Sequence, residues 1–357
     1  MKPQRSNPSR AGQRGFTLIT AGACCIVMIG MVGLAVDVGR LYIVRNEVQA
    51  HVDTAALSAA LELDGTTTGF DRARTTVTNN ANRWNMATTR FTTTQTDFST
   101  SQTGPWVASP ANGAGYIYAR VRATVAAPVY FTRFISPDPA KNVSAIAIAG
   151  QVSKTSWKEG LTPFSPLAHN SAGPDFGLVK GGIYTLRWAS NPKLNSNVCP
   201  GDNQESYIAQ SNAGGGEERG FIEESSAANI RAAIVDNYQT IVREVGDSVV
   251  MTGGAKQTQR DALIQRIYQD TDSTSSTFAQ YIAGGAGNGR RIVVVPINTW
   301  HPDYIILGYG AFLLMLPNEY VPGGNKPFCA EYIGAYVQGA PHTGGGMPGA
   351  YVVRLVL

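Results

Sequence analysis

The longest apolar stretch of the chain lies near its N-terminus and contains no charged residue. It reads FTLITAGACCIVMIGMVGLAV and covers residues 16–36. A helix rises about 1.5 Å per residue, so this stretch spans roughly 30 Å, the thickness of the hydrocarbon core of a bilayer. The run ends in VDVGRLYIVRNEVQA, which contains no small-residue cleavage site of the kind that ends a secretory signal. We therefore predict a retained transmembrane helix over residues 16–36.

Beyond the membrane segment, apolar residues recur at a helical spacing. Two parallel stripes comprise Leu34, Leu41, Val48 and Ala55, and Val38, Val52 and Ala59. Residues 41–61 contain neither Gly nor Pro, so we predict a helical extension over residues 37–62, ended by DGTTTG at 64–69. The stripes have two interpretations: packing onto the domain that follows, or bundling with the same helix of sister chains.

The remaining sequence favours strands and loops, with short apolar runs separated by polar and glycine-rich turns. Residues 117–125 alternate between apolar and polar side chains, as a half-buried strand does. Further strands are predicted at 181–188, 292–297, 304–316, 328–337 and 350–357, and helices at 70–84, 225–238 and 255–270. The fold class is therefore α+β: a long transmembrane helix followed by mostly antiparallel, β-rich exported domains with a few helices.

A polar stretch around residues 153–163, SKTSWKEGLTP, indicates a boundary within the exported part. The predicted organisation is a basic leader (1–15), a transmembrane helix (16–36), a helical extension (37–62), a first exported α+β region (63–155) and a C-terminal β-rich α+β domain (156–357).

The location of charge along the chain predicts orientation. The leader contains Lys2, Arg5, Arg10 and Arg14 and no acidic residue, whereas basic and acidic side chains balance over residues 16–357. Basic flanks stay on the cytoplasmic side of a membrane, so the leader is expected in the cytoplasm and the bulk across the inner membrane. Beyond the leader no cluster of Lys and Arg suits a nucleic-acid backbone, so no nucleic-acid partner is expected.

The four cysteines fall into two pairs of different character. Cys24 and Cys25 lie in the apolar run, and Cys199 and Cys329 lie far apart in the C-terminal half. No spacing of Cys and His suggests a metal site. Across the membrane, Cys199 and Cys329 would meet an oxidising compartment where disulfides persist. A disulfide between them is favoured, and two buried free thiols are the alternative.

Catalytic chemistry has little support in the sequence, so neither an enzyme nor a cofactor is expected. The WHPDY stretch at 300–304 suits a turn, and the glycine-rich stretches at 214–220 and 344–349 lack the context that binds phosphate. The four histidines, His51, His169, His301 and His342, show no grouping with a nucleophile. A cluster of acids, Glu217, Glu218, Glu223 and Glu224, lies in polar sequence and is expected on a solvated face.

An ordered set of residues around the apolar run resembles the N-terminal region of TadG-like and TadE-like proteins of tight-adherence (Flp) pilus assembly systems. The matching pieces are Arg14-Gly15, Asp37-Val38-Gly39-Arg40, Tyr42, Gln49-Ala50 and Asp53-Thr54-Ala55-Ala56-Leu57. The chain departs from the pattern at His51-Val52 and at Thr54. The resemblance continues through 116–134 and 142–152, and so covers about residues 13–153.

The resemblance implies a structural component of pilus assembly or surface attachment, whose partners are the inner membrane and other Tad proteins. Many TadG proteins also carry an adhesion domain with an Asp-x-Ser-x-Ser metal motif. The nearest string here, DSTSS at 272–276, is expected to be a polar loop. The alternative function is a membrane-tethered hydrolase or ligand-binding domain on a pilin-like anchor.

The start of the apolar run, QRGFTLITAG at 13–22, also resembles a type IV prepilin. A pilin carries an acid at the fifth residue after the cleavage site, and Thr20 occupies that position here. Cleavage after Gly15 would leave an amine on Phe16 without an acidic partner in register, because Asp37 is 17 residues further on. We expect the chain to keep its leader, although the Gly15-Phe16 junction itself suits a prepilin peptidase.

Overall fold

The structure is a computed structural model, and it describes residues 11–92, 94–134, 136–188, 198–202, 218–222, 224, 226–253, 257–299, 303–321, 327–340, 344–346 and 349–356. The α-helices in this part are α1 (Ala11–Leu61), α2 (Thr67–Thr78), α3 (Ala227–Asp236), α4 (Gln257–Tyr268) and α5 (Phe278–Ala283). Short 3-10 helices lie at Thr132–Phe134, Pro174–Gly177 and Pro317–Glu319.

The strands occur mostly in runs between these helices. In chain order they are β1 (Arg83–Trp84), β2 (Thr89–Arg90), β3 (Thr94–Ser99), β4 (Tyr118–Pro128), β5 (Ala140–Ser153), β6 (Ser156–Trp157), β7 (Ile183–Arg187), β8 (Glu218–Ile222), β9 (Arg243–Glu244), β10 (Met251–Gly253), β11 (Ile292–Asn298), β12 (Ile306–Leu314), β13 (Phe328–Gly334), β14 (Tyr336–Val337) and β15 (Ala350–Leu355). The predicted class, a long apolar helix followed by an α+β body rich in antiparallel strands, is confirmed.

Helix α1 changes character along its length. From Thr17 to Ile43 its side chains are mostly exposed, and only Gly33 and Asp37 are buried. From Val44 onward one face is buried, including Val48, Val52, Ala55 and Ala59 of the predicted stripes. This upper part therefore packs within the folded chain, as the first interpretation of the stripes requires. Leu34 and Val38, from the lower part of the stripes, stay exposed.

The chain forms two compact units, each made of several separate segments. Unit 1 consists of Met1–Ala55, Thr78–Thr96 and Val121–Ala147, and unit 2 of Ala56–Val77, Asp97–Arg120 and Ile148–Leu357. Strands β4 and β5 each pass from one unit to the other. The bounds 63–155 and 156–357 thus stay a sequence-based description.

The main sheet of unit 2 has the strand order β11-β12-β13-β7, with antiparallel neighbours throughout. Its side chains form two apolar clusters, one of which includes Ile230 and Ile234 of α3 and Leu263 and Ile267 of α4. Ser226 caps α3 by accepting a hydrogen bond from the Asn229 N–H. A second sheet has the order β14-β15-β5-β4-β3, in which β14 is parallel to β15.

The helix predicted at 70–84 ends at Thr78, and Trp84 lies instead in the short hairpin β1–β2. Asn85, Met86 and Ala87 at the tip of this hairpin have left-handed backbone (φ 55, 57 and 62°), which is incompatible with helix. DSTSS forms a turn, because the Asp272 carboxylate accepts hydrogen bonds from the Thr274 and Ser275 N–H groups and the Ser275 hydroxyl.

Candidate functional site

The Asp37 carboxylate is the centre of the most specific polar arrangement in unit 1. It accepts hydrogen bonds from the backbone N–H groups of Tyr130, Phe131 and Thr132 at 3.0, 2.9 and 2.6 Å. The Thr132 hydroxyl donates a fourth at 2.7 Å. One carboxylate therefore satisfies three consecutive backbone donors of the turn that follows β4, and so fixes that turn on helix α1.

These bonds also set the charge state of Asp37. Burial by itself raises the pKa of the carboxyl, but the three N–H groups and the Thr132 hydroxyl favour the ionised form and lower its pKa from 3.8 to about 2. Asp37 is therefore a carboxylate at every physiological pH. An amide or alkyl side chain at this position would lack the charge that binds all four donors.

Gly33, one helical turn before Asp37 on α1, lets the loop after β4 approach the helix closely. A Cβ atom at residue 33 would lie 2.6 Å from the ring of Phe131, so only glycine lets this ring pack against the helix backbone. Gly39, which belongs to the Asp-x-Gly-Arg piece, has open space around its Cα. In this structure the close approach thus depends on Gly33, which sequence reasoning missed.

Arg40 lies one helical turn beyond Asp37 and contacts two separate parts of unit 1. Its guanidinium carbon is 4.6 Å from the centroid of the Tyr130 ring, within the range of a cation–π interaction. One of its terminal nitrogens donates to the Asn85 Oδ1 at 2.8 Å. Arg40 therefore joins the turn after β4 and the tip of the β1–β2 hairpin to α1.

Glu47 binds the hairpin tip in the way that Asp37 binds the turn. Its two carboxylate oxygens accept the Asn85 N–H at 2.7 Å and the Met86 N–H at 2.9 Å. These residues begin the left-handed segment of the tip, so the carboxylate offsets part of its conformational cost. Glu47 was not among the predicted residues; its signal is its spacing from Asp37 and Arg40, which places all three on one helix face.

Gln49 and Asp53 complete the contacts of the motif residues. The Gln49 amide donates to the Asp53 Oδ1 at 2.7 Å, one turn further along α1, and to the Ile146 carbonyl of β5 at 3.4 Å. Gly15 lies within α1, in the part where only the backbone is described. Four polar residues of the motif, Asp37, Arg40, Gln49 and Asp53, thus take part in hydrogen bonds of unit 1.

The two cysteines of the C-terminal half lie together in unit 2. A disulfide joins Cys199 and Cys329, with a Cα–Cα distance of 5.7 Å and a sequence separation of 130. The Cys199 N–H also donates to the Thr185 hydroxyl of β7 at 3.0 Å. Cys24 and Cys25 are free and exposed on α1. The oxidised state of Cys199 and Cys329 in the isolated protein stays a prediction.

The described residues bring few catalytic groups together. Among them, no group of three or more His, Cys, Asp or Glu side chains is placed to hold a metal ion. His169 pairs with Asp202 (Nε2 to Oδ1 2.8 Å), a contact that the sequence did not reveal. His301, His342, Glu217 and Glu223 lie outside the described residues.

Glu224 corrects one expectation, because it is buried rather than on a solvated face. Its Oε2 accepts hydrogen bonds from the Thr240 N–H and hydroxyl, and its Oε1 lies 3.8 Å from an Arg243 nitrogen. The polar sequence around Glu224 suggested exposure, but these partners, 16 and 19 residues further along the chain, satisfy its carboxylate in a buried position.

The comparisons with known proteins agree with the placement of the motif. Residues 15–62 match a family model described as putative Flp pilus-assembly TadE/G-like. No curated protein and no solved structure gives a significant match to the chain. Residues Thr17–Leu61 form a helix long and apolar enough to cross a membrane, and no second one was found in the described part of the chain. The N-terminal part of the chain, residues 15–62, is therefore a TadE/G-like segment, which supports a role related to Flp pilus assembly.

Proposed function

We propose that the protein is a single-pass inner-membrane component of a Flp pilus assembly or surface-attachment system, and that its role is structural rather than catalytic. The observation that carries the proposal is the TadE/G-like match over residues 15–62. Its polar residues bind the turn after β4 and the β1–β2 hairpin. The matched segment therefore joins an apolar helix to a folded unit, as an anchored assembly component requires.

The pattern of exposure along α1 supports the membrane anchor. Large apolar side chains such as Ile26, Met28 and Val32 are more than half exposed, and the segment from Thr17 to Val36 has no charge. Soluble domains rarely expose a continuous apolar surface of this size to water, whereas such a surface is stable in contact with lipid. The four basic residues of the leader support a cytoplasmic N-terminus and export of the remaining chain.

Three experiments test this proposal. A phosphatase fused after Leu357 is expected to be active, and a reporter that works only in the cytoplasm is expected to be silent there. Deletion of the chain is expected to abolish surface pili, and the wild-type chain is expected to restore them. Pull-down of the tagged protein from native membranes should recover other pilus-assembly proteins. The reverse reporter pattern would contradict the orientation, and normal piliation of the deletion strain would contradict the role.

We also propose that the chain keeps its leader. The Thr20 hydroxyl donates to the Thr17 carbonyl at 3.1 Å within α1. Because a hydroxyl cannot neutralise an amine, Thr20 does not replace the acid that a pilin places there. Cleavage after Gly15 would also remove the basic residues that set the orientation. Intact-mass measurement of the membrane-extracted protein decides the question, and a chain that starts at Phe16 would refute this part.

A ligand-binding or hydrolytic domain on a pilin-like anchor is the second candidate function. It is favoured by a cavity of about 410 Å³ in unit 2, lined by Asp64, Lys180, Phe278 and Glu331 among others. The Glu331 carboxylate accepts the Phe278 N–H at 2.6 Å, and burial raises the pKa of Glu331, as suits a proton donor. If Glu331→Gln keeps the fold but abolishes piliation, the result supports the ligand-binding or hydrolytic function. Unchanged piliation supports the structural role.

A further inference from the structure

We infer that the turn after β4 is a second membrane contact, in which Tyr130 and Phe131 lie in the interfacial layer of the bilayer beside helix α1. The occupant of this surface is the lipid bilayer itself. The inference rests on the proposed function, because it requires α1 to be the membrane anchor.

The first argument is the height of the turn along α1. The Phe131 ring packs against Gly33, and the Tyr130 to Thr132 N–H groups bind Asp37. Gly33 lies four residues below Asp37, or about 6 Å along the helix, and so within the uncharged stretch of residues 16–36. A ring at the level of Gly33 therefore reaches below the boundary between the apolar and the polar part of the helix.

The second argument is the chemistry of the exposed surface. Tyr130 is 48% exposed and Phe131 is 41% exposed, although their backbone N–H groups are bound by a buried carboxylate. They extend the exposed apolar surface of α1 at this level, which includes Leu34 and Val36. Tyrosine, whose ring carries a hydroxyl, is enriched where hydrocarbon meets the headgroups, and the wholly apolar ring of Phe131 suits the hydrocarbon side of that boundary. The adjacent Arg133 is also exposed and suits the phosphate layer above.

The third argument is the way in which the turn is held. Asp37 binds three consecutive N–H groups that would otherwise be left without partners at the edge of the hydrocarbon. Arg40 lies against the Tyr130 ring and so orients it. An irregular turn at membrane depth is stable only when its backbone groups are satisfied in this way. The motif carboxylate thus allows a non-helical segment to enter the interface.

Depth-dependent quenching of tryptophan fluorescence tests the inference with the full chain in phosphatidylcholine bilayers brominated in the upper acyl chain. Tyr130→Trp and Phe131→Trp probe the turn. Ile26→Trp probes the anchor, and Ile146→Trp is the matched control in unit 1. Ile146 is 42% exposed, and its carbonyl binds Gln49, which lies 12 residues, or about 18 Å, above Asp37. Each variant is compared with the wild-type chain, which has five tryptophans of its own.

We expect several-fold stronger quenching at residues 26, 130 and 131 than at 146, and loss of the signal at 130 when Asp37→Ala is added. If residues 130 and 131 behave like 146 while 26 is quenched, the inference is overturned and the anchor stands. If 26 is not quenched either, the proposed membrane anchor fails as well.

Discussion

The two units of the chain are built from different side chains. Among the described residues of unit 1, every buried apolar side chain except Trp84 is Val or Ala, as in Val44, Val48, Val121 and Ala147. Unit 2 instead buries many aromatic rings, including Phe164, Phe221, Phe312, Phe328 and Tyr332. Because hydrophobic stabilisation scales with buried apolar area, each residue contributes less in unit 1 than in unit 2.

Unit 1 gains specificity from polar contacts instead. Asp37 and Glu47 bind five backbone N–H groups between them, and Arg40 contacts both segments that these acids hold. Such contacts need one particular side chain at one position, whereas an apolar core tolerates many combinations of similar volume. Asp37, Arg40 and Glu47 all lie within residues 15–62, the part of the chain that the family model matches.

The largest expected effect on stability comes from removing the disulfide, which lies in unit 2 and has no counterpart among the described residues of unit 1. A bridge between Cys199 and Cys329 closes a loop of 130 residues. Replacing both residues by Ser is expected to lower the free energy of unfolding by about 4–5 kcal/mol in the chain-entropy treatment. Denaturant unfolding followed by tryptophan fluorescence measures the change.

Cys24→Ser with Cys25→Ser is the matched control, since both thiols are free and exposed, and it should leave the unfolding free energy unchanged. Thiol labelling of the denatured wild-type chain should detect two cysteines without reductant and four with it. Equal labelling under both conditions would show that the bridge does not form.

Truncating one buried side chain in each unit measures how much each core contributes to the free energy of unfolding. Phe312 is fully buried in the main sheet of unit 2, with its ring 5.2 Å from that of Tyr332. Phe312→Ala should cost about 3–5 kcal/mol, whereas Val121→Ala in unit 1 should cost about 1.5–2.5 kcal/mol, because it removes fewer buried carbon atoms. Chemical denaturation of the two variants gives both values. Equal costs would mean that the units are packed alike.

Regular elements with a clear period were predictable from the sequence. The continuous apolar run at 292–297 became β11, and the helix predicted at 255–270 became α4. Helix α1 was predicted to end near Glu62 and ends at Leu61. Helix α4 follows from the helical spacing of its apolar residues, and β11 follows from an apolar run too short for a helix.

Features that depend on partners distant in sequence were not predictable. Asp37 could be recognised as part of a motif, but its donors lie more than 90 residues away. Glu47 binds the hairpin tip, and Gly33 contacts the Phe131 ring. No local sequence pattern associates either residue with its partner. Glu224 was misjudged for the same reason, since its partners Thr240 and Arg243 follow it by 16 residues or more.

The polar contacts of unit 1 should respond to acid. The pKa of Asp37 is lowered from 3.8 to about 2 by its hydrogen bonds. Its stabilising contribution is therefore fully present above pH 3.8 and is lost as the pH falls through about 2. Selective ¹⁵N labelling of Tyr and Phe lets NMR follow the amide protons of Tyr130 and Phe131 during an acid titration. We expect their chemical shifts to change near pH 2 in the wild type and to be insensitive to pH in Asp37→Asn. A midpoint near pH 3.8 would show that the hydrogen bonds do not lower the pKa of Asp37.

The smallest expected effect comes from His51, which is buried in unit 1 at a point where the chain departs from the family pattern. Its ring stacks on Phe91 at 3.8 Å, and its Nε2 lies 3.2 Å from the Thr94 hydroxyl. Its Nδ1 has no hydrogen-bond partner among the described residues. Burial lowers the pKa of His51 from its ordinary value of 6.5, because protonation would place a charge in this apolar stack.

The sign of the His51 effect follows from this lowered pKa. Above pH 6.5 the ring is neutral in both the folded and the unfolded chain, so it costs nothing. Below that value the unfolded chain binds a proton that the folded chain resists, and stability falls by at most about 1.4 kcal/mol per pH unit. His51→Phe keeps the stack and removes the titration, so its unfolding free energy should fall less between neutral and mildly acidic pH than that of the wild type. Parallel pH profiles for the two proteins would show that His51 is protonated as readily in the folded chain as in the unfolded one.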